Sequence, residues 1–194
     1  MADILILYYS RHGGTRKMAR LIARGVESTG AVATLRTVPE LAFAGESIQP
    51  QPADDPFVTL DDLKRCDGLA FGSPVRFGNM AAPLKHFIDS TSKEWLAGTL
   101  IGKPALVFTS GSMLHGGQET MLQSMMLPLL HHGMVIVGLP HSEPALHTTS
   151  GGGSPYGPSH VTSEDHRQPD NNEKDLAIAG GKRLAMIASQ LQTR

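Results

Sequence analysis

Three short segments of this chain combine the residue types that hold a phosphate and a flat ring. Ser10-Arg11-His12-Gly13-Gly14-Thr15 places two hydroxyls around two glycines, directly before a helical pattern. Free N–H groups at a helix start, helped by the helix dipole, favour a phosphate, and Ser10 and Thr15 add donors. An ordinary capped turn accounts for the same residues equally well. The loop lacks the Gly-x-Gly-x-x-Gly of a dinucleotide fingerprint. Gly98-Thr99-Leu100-Ile101-Gly102-Lys103 has three residues where a P-loop needs four, with Pro104 in place of Ser or Thr. The second segment is Ser73-Pro74-Val75-Arg76-Phe77-Gly78-Asn79-Met80. Pro74 stiffens it, Gly78 permits close backbone approach, and Arg76 and Phe77 offer a cation and a flat surface to a planar ring. The alternative is a loop whose Phe77 tucks into the core. The third segment, Ser110-Gly111-Ser112-Met113-Leu114-His115-Gly116, exposes backbone N–H groups as a second wall would require; alone, it reads more simply as a flexible connection. No Gly-x-Ser-x-Gly surrounds either serine, so it is not a nucleophile elbow.

These segments need elements to bring them together. Ile4–Tyr9 is a continuous apolar run, read as a buried strand, and Met18, Leu21, Ile22 and Val26 then repeat at helical spacing. Further strands are expected at Ala31–Leu35, Gly68–Gly72, Ala105–Thr109 and Met134–Leu139. Helices are expected at Leu60–Arg65 (capped by Thr59), Met80–Thr91 and Gln118–His131, with an amphipathic terminal helix carrying Leu176, Leu184, Ile187 and Leu191. Residues 39–56 read as a loop, and 143–171 as a long, polar, Gly-rich insertion in an otherwise single domain spanning 1–194. Five apolar strands alternating with helices predict an α/β fold with a parallel sheet covered on both faces. Ligands of such sheets sit beyond the carboxyl ends of the strands. The three segments stand at those ends.

Composition narrows the function. Lys plus Arg number 17 against 18 Asp plus Glu, a formal net charge of −1, so no field is available for nucleic acid or an anionic membrane. Cys66 is the only cysteine, which excludes an internal disulfide and a Cys-rich zinc site. The N-terminal apolar run is too short for a signal segment or a membrane span. A cytoplasmic protein without metal is the expectation. A receiver-type phosphorylation domain would need Asp where Tyr8, Tyr9 and Ser10 stand.

Taken together the segments resemble the WrbA-type NAD(P)H:quinone oxidoreductases, a flavodoxin-like family. Leu-Tyr-Tyr-Ser at Leu7–Ser10, Arg-Phe-Gly-Asn-Met at Arg76–Met80 and Gly-Gly-Gln-Glu at Gly116–Glu119 carry the likeness. His-His-Gly-Met-Val-Ile-Val at His131–Val137, Pro-Tyr-Gly at Pro155–Gly157 and Arg-Gln-Pro at Arg167–Pro169 extend it over nearly the whole chain. The resemblance implies a five-stranded doubly wound sheet of order 2-1-3-4-5. It implies bound FMN, with the phosphate at Ser10–Thr15, the isoalloxazine against Val75, Arg76 and Phe77 within the loop Pro74–Asn79, and further contacts from Ser110–Gly116. It places an FMN-contacting histidine at His131, with Arg76 and His131 as electrostatic support and no catalytic residue beyond the flavin. For the pair His131–His132, helix C-terminal capping is the plainer alternative. Trp95 maps to an aromatic wall of the substrate pocket, and His12 stands where the family commonly has a Tyr associated with the nicotinamide.

The implied activity is two-electron reduction of quinones by NADH or NADPH, with ping-pong exchange of the two substrates over one flavin face, in a homotetramer. A flavodoxin-type electron carrier is the rival; such carriers are commonly shorter and strongly acidic, whereas this chain is near neutral.

Overall fold

The computed structural model describes residues 1–41, 55–163 and 165–192. Most of the expected loop 39–56 lies outside these residues. The sheet is built from β1 (Asp3–Tyr8), β2 (Val32–Thr37), β3 (Gly68–Pro74), β4 (Pro104–Gly111), β5 (Val135–Ile136) and β6 (Ser159–Val161). Every pairing is parallel, in the order β2-β1-β3-β4-β5, with β6 also paired to β4. This is the doubly wound, flavodoxin-like arrangement expected from the alternation of elements.

Helices α1 (Gly14–Glu27) and α7 (Asn171–Gln192) cover one face. Their stripe of Met18, Ile22, Val26, Leu184 and Ala188 packs on Ile4, Ile6 and Phe108 of the strands. The other face is covered by α2 (Leu60–Arg65), α3 (Ala82–Asp89) and α5 (Gln118–His131), which supply Leu63, Leu84, Ile88, Met121, Leu122 and Leu129. Each strand is therefore apolar on both sides, which is why its sequence shows runs rather than alternation. The cap at Thr59 is a full capping box: Thr59 Oγ1 accepts from Asp62 N, and Asp62 Oδ2 accepts from Thr59 N.

Three boundaries differ from expectation, each for a local reason. The helix expected at Met80–Thr91 starts later: Ala81 is extended, its N–H donates to Ser73 Oγ, and Pro83 sits in the first turn. After Asp89 the chain restarts as a separate short helix, α4 (Ser92–Leu96). The strand expected at Met134–Leu139 is cut to two residues. Val137 still donates to Ala105 O, but Leu139 N then turns to Pro155 O.

The third difference is the largest. Segment 143–171 is not bare loop: it holds α6 (Ala145–Thr148) and β6. Pro104 and Ala105 of β4 pair with β5, and Thr109 to Gly111 pair with β6 along the same edge, because β3 occupies the other. Strands β5 and β6 are thus two pieces of one interrupted edge strand, and residues 137–158 form the excursion between them.

The layer of α1 and α7 is held unusually close. A Cβ on Gly25 would lie 2.1 Å from Ile178 O, and one on Gly181 would lie 2.1 Å from Ile22 O. Only glycine admits that approach. Gly181→Ala is expected to cost about 1–3 kcal/mol through overpacking, exceeding the ~1 kcal/mol that alanine adds in helix propensity. A lower urea midpoint at unchanged slope would show it; an unchanged or higher midpoint would contradict the close packing.

Candidate functional site

Register in the sheet decides where the three segments meet. Tyr8 pairs with Gly72, Gly72 with Phe108 and Ser73 with Thr109, so β1, β3 and β4 end together. Their loops enclose a cleft of about 490 Å³. The first loop contributes Ser10, Arg11, His12, Gly14 and Thr15; the second, Pro74, Val75, Arg76 and Phe77; the third, Ser110, Gly111, Ser112, Met113 and Gly116.

At the floor, Thr15 Oγ1 and Ser110 Oγ share a buried hydrogen bond of 2.9 Å that ties the first loop to the third. Gly13 caps α1 with φ 86°, a left-handed conformation suited to glycine, and Arg16 N donates to Ser10 Oγ. The backbone N–H groups of residues 11–15 find no acceptor among the described residues. That leaves a ring of open donors at a helix N-terminus, the arrangement that receives a phosphate. Gly14 is wedged there: an added Cβ would meet Thr162 Cγ2 at 2.8 Å and Ser110 Oγ at 3.1 Å.

The second loop is shaped by paired bonds between Arg76 and Asn79 and by Val75 N donating to Ser110 O. Phe77 adopts φ 53° and its ring is fully exposed, so it does not tuck into the core. A bulky residue held in the left-handed region with its ring in water is costly unless the ring serves a partner. Arg76 Nη1 donates to Val75 O, which holds its guanidinium along the loop. In the third loop, Gly116 N and Gln118 Nε2 both donate to Met113 O and fold the segment back on itself.

Other residues named from sequence lie elsewhere. Gly13, Gly78 and Asn79 shape the loops without lining the cleft, while Leu114 and His115 face a separate groove beyond the third loop. His131 and Trp95 are outside the cleft of this chain. Trp95 Nε1 donates to His131 O at 2.8 Å, and both line a groove between α4 and the end of α5. His132 is buried, with Nε2 3.0 Å from Thr91 Oγ1. Burial holds it below the usual histidine range, against the pull of Glu94.

Three cleft residues escaped the sequence reading: Thr162, Ser163 and His166. They follow β6, whose last residue is succeeded by small hydroxylic residues just as those of β1 and β4 are. That signal was present but hidden, because a three-residue strand is too short to stand out. The His166 ring lies 5.8 Å from the His12 ring, centre to centre, and Lys17 Nζ donates to the His166 and Arg167 carbonyls.

This fourth wall is anchored by Glu173 in the first turn of α7, itself fully buried. Glu173 Oε1 accepts from Gly152 N, Val161 N and Arg167 Nη2, and Oε2 accepts from Asp170 N and pairs with His160 Nδ1. Burial alone would raise its pKa. Hydrogen bonds from His160 and the Val161, Asp170 and Gly152 backbones outweigh that and hold it near about 2.

A parallel doubly wound sheet with a phosphate-receptive first loop, a ring-presenting second loop and a glycine-rich third wall defines the flavodoxin-like class of nucleotide-binding proteins. Residues 3–143 match the family described as NADPH-dependent FMN reductase, and the chain belongs to that family. It is 41% identical over 203 residues to a protein of Solidesulfovibrio magneticus named NAD(P)H dehydrogenase (quinone), covering 98% of this chain and 99% of that one. A protein of the same name from Sinorhizobium fredii is 42% identical, with the same coverage. Among solved structures, a WrbA-like flavodoxin from Agrobacterium tumefaciens superposes with a TM-score of 0.69 at 23% identity, over 98% of this chain and 99% of that chain. Flavodoxin 2 of Bacillus cereus gives 0.61 at 17%, over 97% and 99%. At such identities these two structures speak for the fold.

Because the Glu173 pKa is depressed, its contribution to stability is complete above the ordinary glutamate pKa and is lost as pH falls towards about 2. Glu173→Gln is expected to cost roughly 1–3 kcal/mol at pH 7, since a carboxamide NH2 cannot accept from the buried N–H groups that the carboxylate now serves, while Arg167 keeps Asp170 as a partner. The gap between variant and wild type in urea unfolding should shrink as pH drops from 5 to about 2.5; a gap constant across that range would refute the charged network.

Proposed function

We propose that the chain is an FMN-dependent NAD(P)H:quinone oxidoreductase that reduces quinones by two electrons. One observation carries the reading: open N–H donors of residues 11–15 and the exposed, left-handed Phe77 face the same cleft. A phosphate joined to a flat ring satisfies both. The names of the 41–42% identical relatives support the reaction.

In this reading Ser10–Thr15 hold the FMN phosphate, Val75–Phe77 the isoalloxazine, and Ser110–Gly116 with Thr162 and Ser163 close the third and fourth sides. Bound there, FMN would supply the redox chemistry: two-electron transfer from the nicotinamide to a quinone, with the balancing proton from solvent. The chain's own part is to bind, orient and set charge. Among the described residues Arg11, Arg76, His12 and His166 line the cleft and no carboxylate does, which favours anionic nucleotide and negative charge at its mouth. Donor and acceptor take turns at that single mouth, which makes the kinetics ping-pong.

The chain works as a homotetramer in which a neighbour's Trp95 and His131 complete the substrate wall. Trp95, Leu96, Ile101, Leu127 and Leu130 are all at least half exposed. They lie on α4, the turn after it and the end of α5, which the Trp95–His131 and Gly102–Gly133 hydrogen bonds join into one surface. Exposed apolar side chains grouped in this way mark a protein contact.

Titrating the purified protein with FMN, then NADH, then benzoquinone tests the core of the proposal. Flavin bands should shift on binding, bleach with nucleotide and recover with quinone; bound flavin that neither nucleotide bleaches would point to an electron carrier instead. Gly14→Val should abolish FMN binding while the apoprotein still folds. Initial-rate lines should be parallel when both substrates are varied, and intersecting lines would overturn the shared site. Trp95 is the only tryptophan, so its emission should shift blue as protein concentration drives assembly, and Trp95→Ala should weaken both assembly and quinone turnover.

A further inference from the structure

A second polar groove, about 400 Å³, lies on the far side of the third loop. Residues of that loop divide between the two spaces: Met113 and Gly116 line the cleft, while Leu114, His115 and Gly117 line the groove. The remaining walls are the first turn of α5 and the excursion at Gly151–Ser154, with Ser159. Helix α5 has 14 residues and no side-chain cap, and its first-turn N–H groups at Gln118, Glu119 and Thr120 find no acceptor among the described residues. Ser154 is 4% exposed. Its N–H donates to Gly157 O, yet its hydroxyl has no partner among the described residues. A buried hydroxyl left unpaired costs about 1–3 kcal/mol, so its retention beside a helix N-terminus points to a missing acceptor. Both features ask for the same thing, an anionic oxygen.

Among the described residues Glu119 is the only carboxylate lining this groove, His115 is its one histidine, and no Lys or Arg lines it. A carboxylate beside a phosphate-receptive helix start pairs with a ribose diol and repels a further phosphate; a 2′-phosphate would need a cation. We infer that the groove between the third loop and the Gly151–Ser154 excursion binds the ADP moiety of the nicotinamide nucleotide, with Ser154 and the α5 N-terminus on a phosphate and Glu119 on the adenosine ribose, so that NADH is used in preference to NADPH. This rests on the nucleotide-reducing function proposed above and names its preferred donor. The nicotinamide end lies over the cleft, and the rest of the molecule crosses the rim of the third loop.

The test uses the full-length, FMN-loaded protein, with ADP and 2′-phosphorylated ADP as calorimetric probes and steady-state rates with both nucleotides. ADP should bind, and its 2′-phosphorylated counterpart should bind about tenfold more weakly. Ser154→Ala should weaken ADP about tenfold and raise KM for NADH while leaving kcat, FMN affinity and Tm undiminished. Glu119→Gln should narrow the preference for NADH. Unchanged ADP affinity in Ser154→Ala, together with a raised Tm, would show a hydroxyl that is merely buried and would overturn the assignment. Equal or better use of NADPH by the wild type would overturn it as well. If neither nucleotide bleaches the flavin, the quinone-reductase reading falls, and ADP binding to wild type against Ser154→Ala still decides the groove.

Discussion

Parallel pairing in register is the constraint on which everything else here depends. Because β1, β3 and β4 run the same way and end opposite one another, three loops far apart in sequence are delivered to one edge of the sheet. The helices that return the chain must then cover both faces, so every central strand is apolar on both sides. The cleft is a by-product of that geometry. Its polar groups lie where the sheet stops and the backbone N–H groups of residues 11–15 find no acceptor among the described residues.

The outer edge of β4 answers the same constraint less simply. One strand could have paired along all of it, but the chain pairs at Pro104 and Ala105, departs, and returns to pair at Thr109 to Gly111. The return costs a buried carboxylate: Glu173 is withdrawn from water and is stable there only because five groups satisfy it. In exchange, Thr162, Ser163 and His166 are brought to the cleft opposite His12. At the same end of β1, Tyr8 and Tyr9 direct their hydroxyls to Asp55 and Glu40, and burial with these bonds pushes both phenols well above the usual tyrosine range. These tyrosines act as anchors for the chain around the cleft.

Polarity divides the surface around the third loop and α5. One side of the loop is cationic and ring-lined, the other is polar with a single carboxylate among the described residues, and the far end of α5 is apolar around Trp95. One 14-residue helix therefore touches two environments, its N-terminus facing polar space and its C-terminus an apolar one. A low amphipathic contrast is the natural consequence: Leu127 and Leu130 are exposed while Met121, Leu122 and Leu129 are buried.

Sequence by itself determined the alternation of elements, the parallel sheet and the three loops, because long apolar runs and the 3.6-residue stripes of α1 and α7 are local patterns that survive without tertiary context. It also specified the capping box at Thr59, since Thr and Asp three residues apart act within one turn. Tertiary structure alone decided that Phe77 points outward, that His131 sits with Trp95 outside the cleft of its own chain, and that Thr162, Ser163 and His166 form a fourth wall. A three-residue strand such as β6 carries too little periodicity to be read. Only the unfilled edge of β4, made 50 residues earlier in the chain, gives it a place to pair.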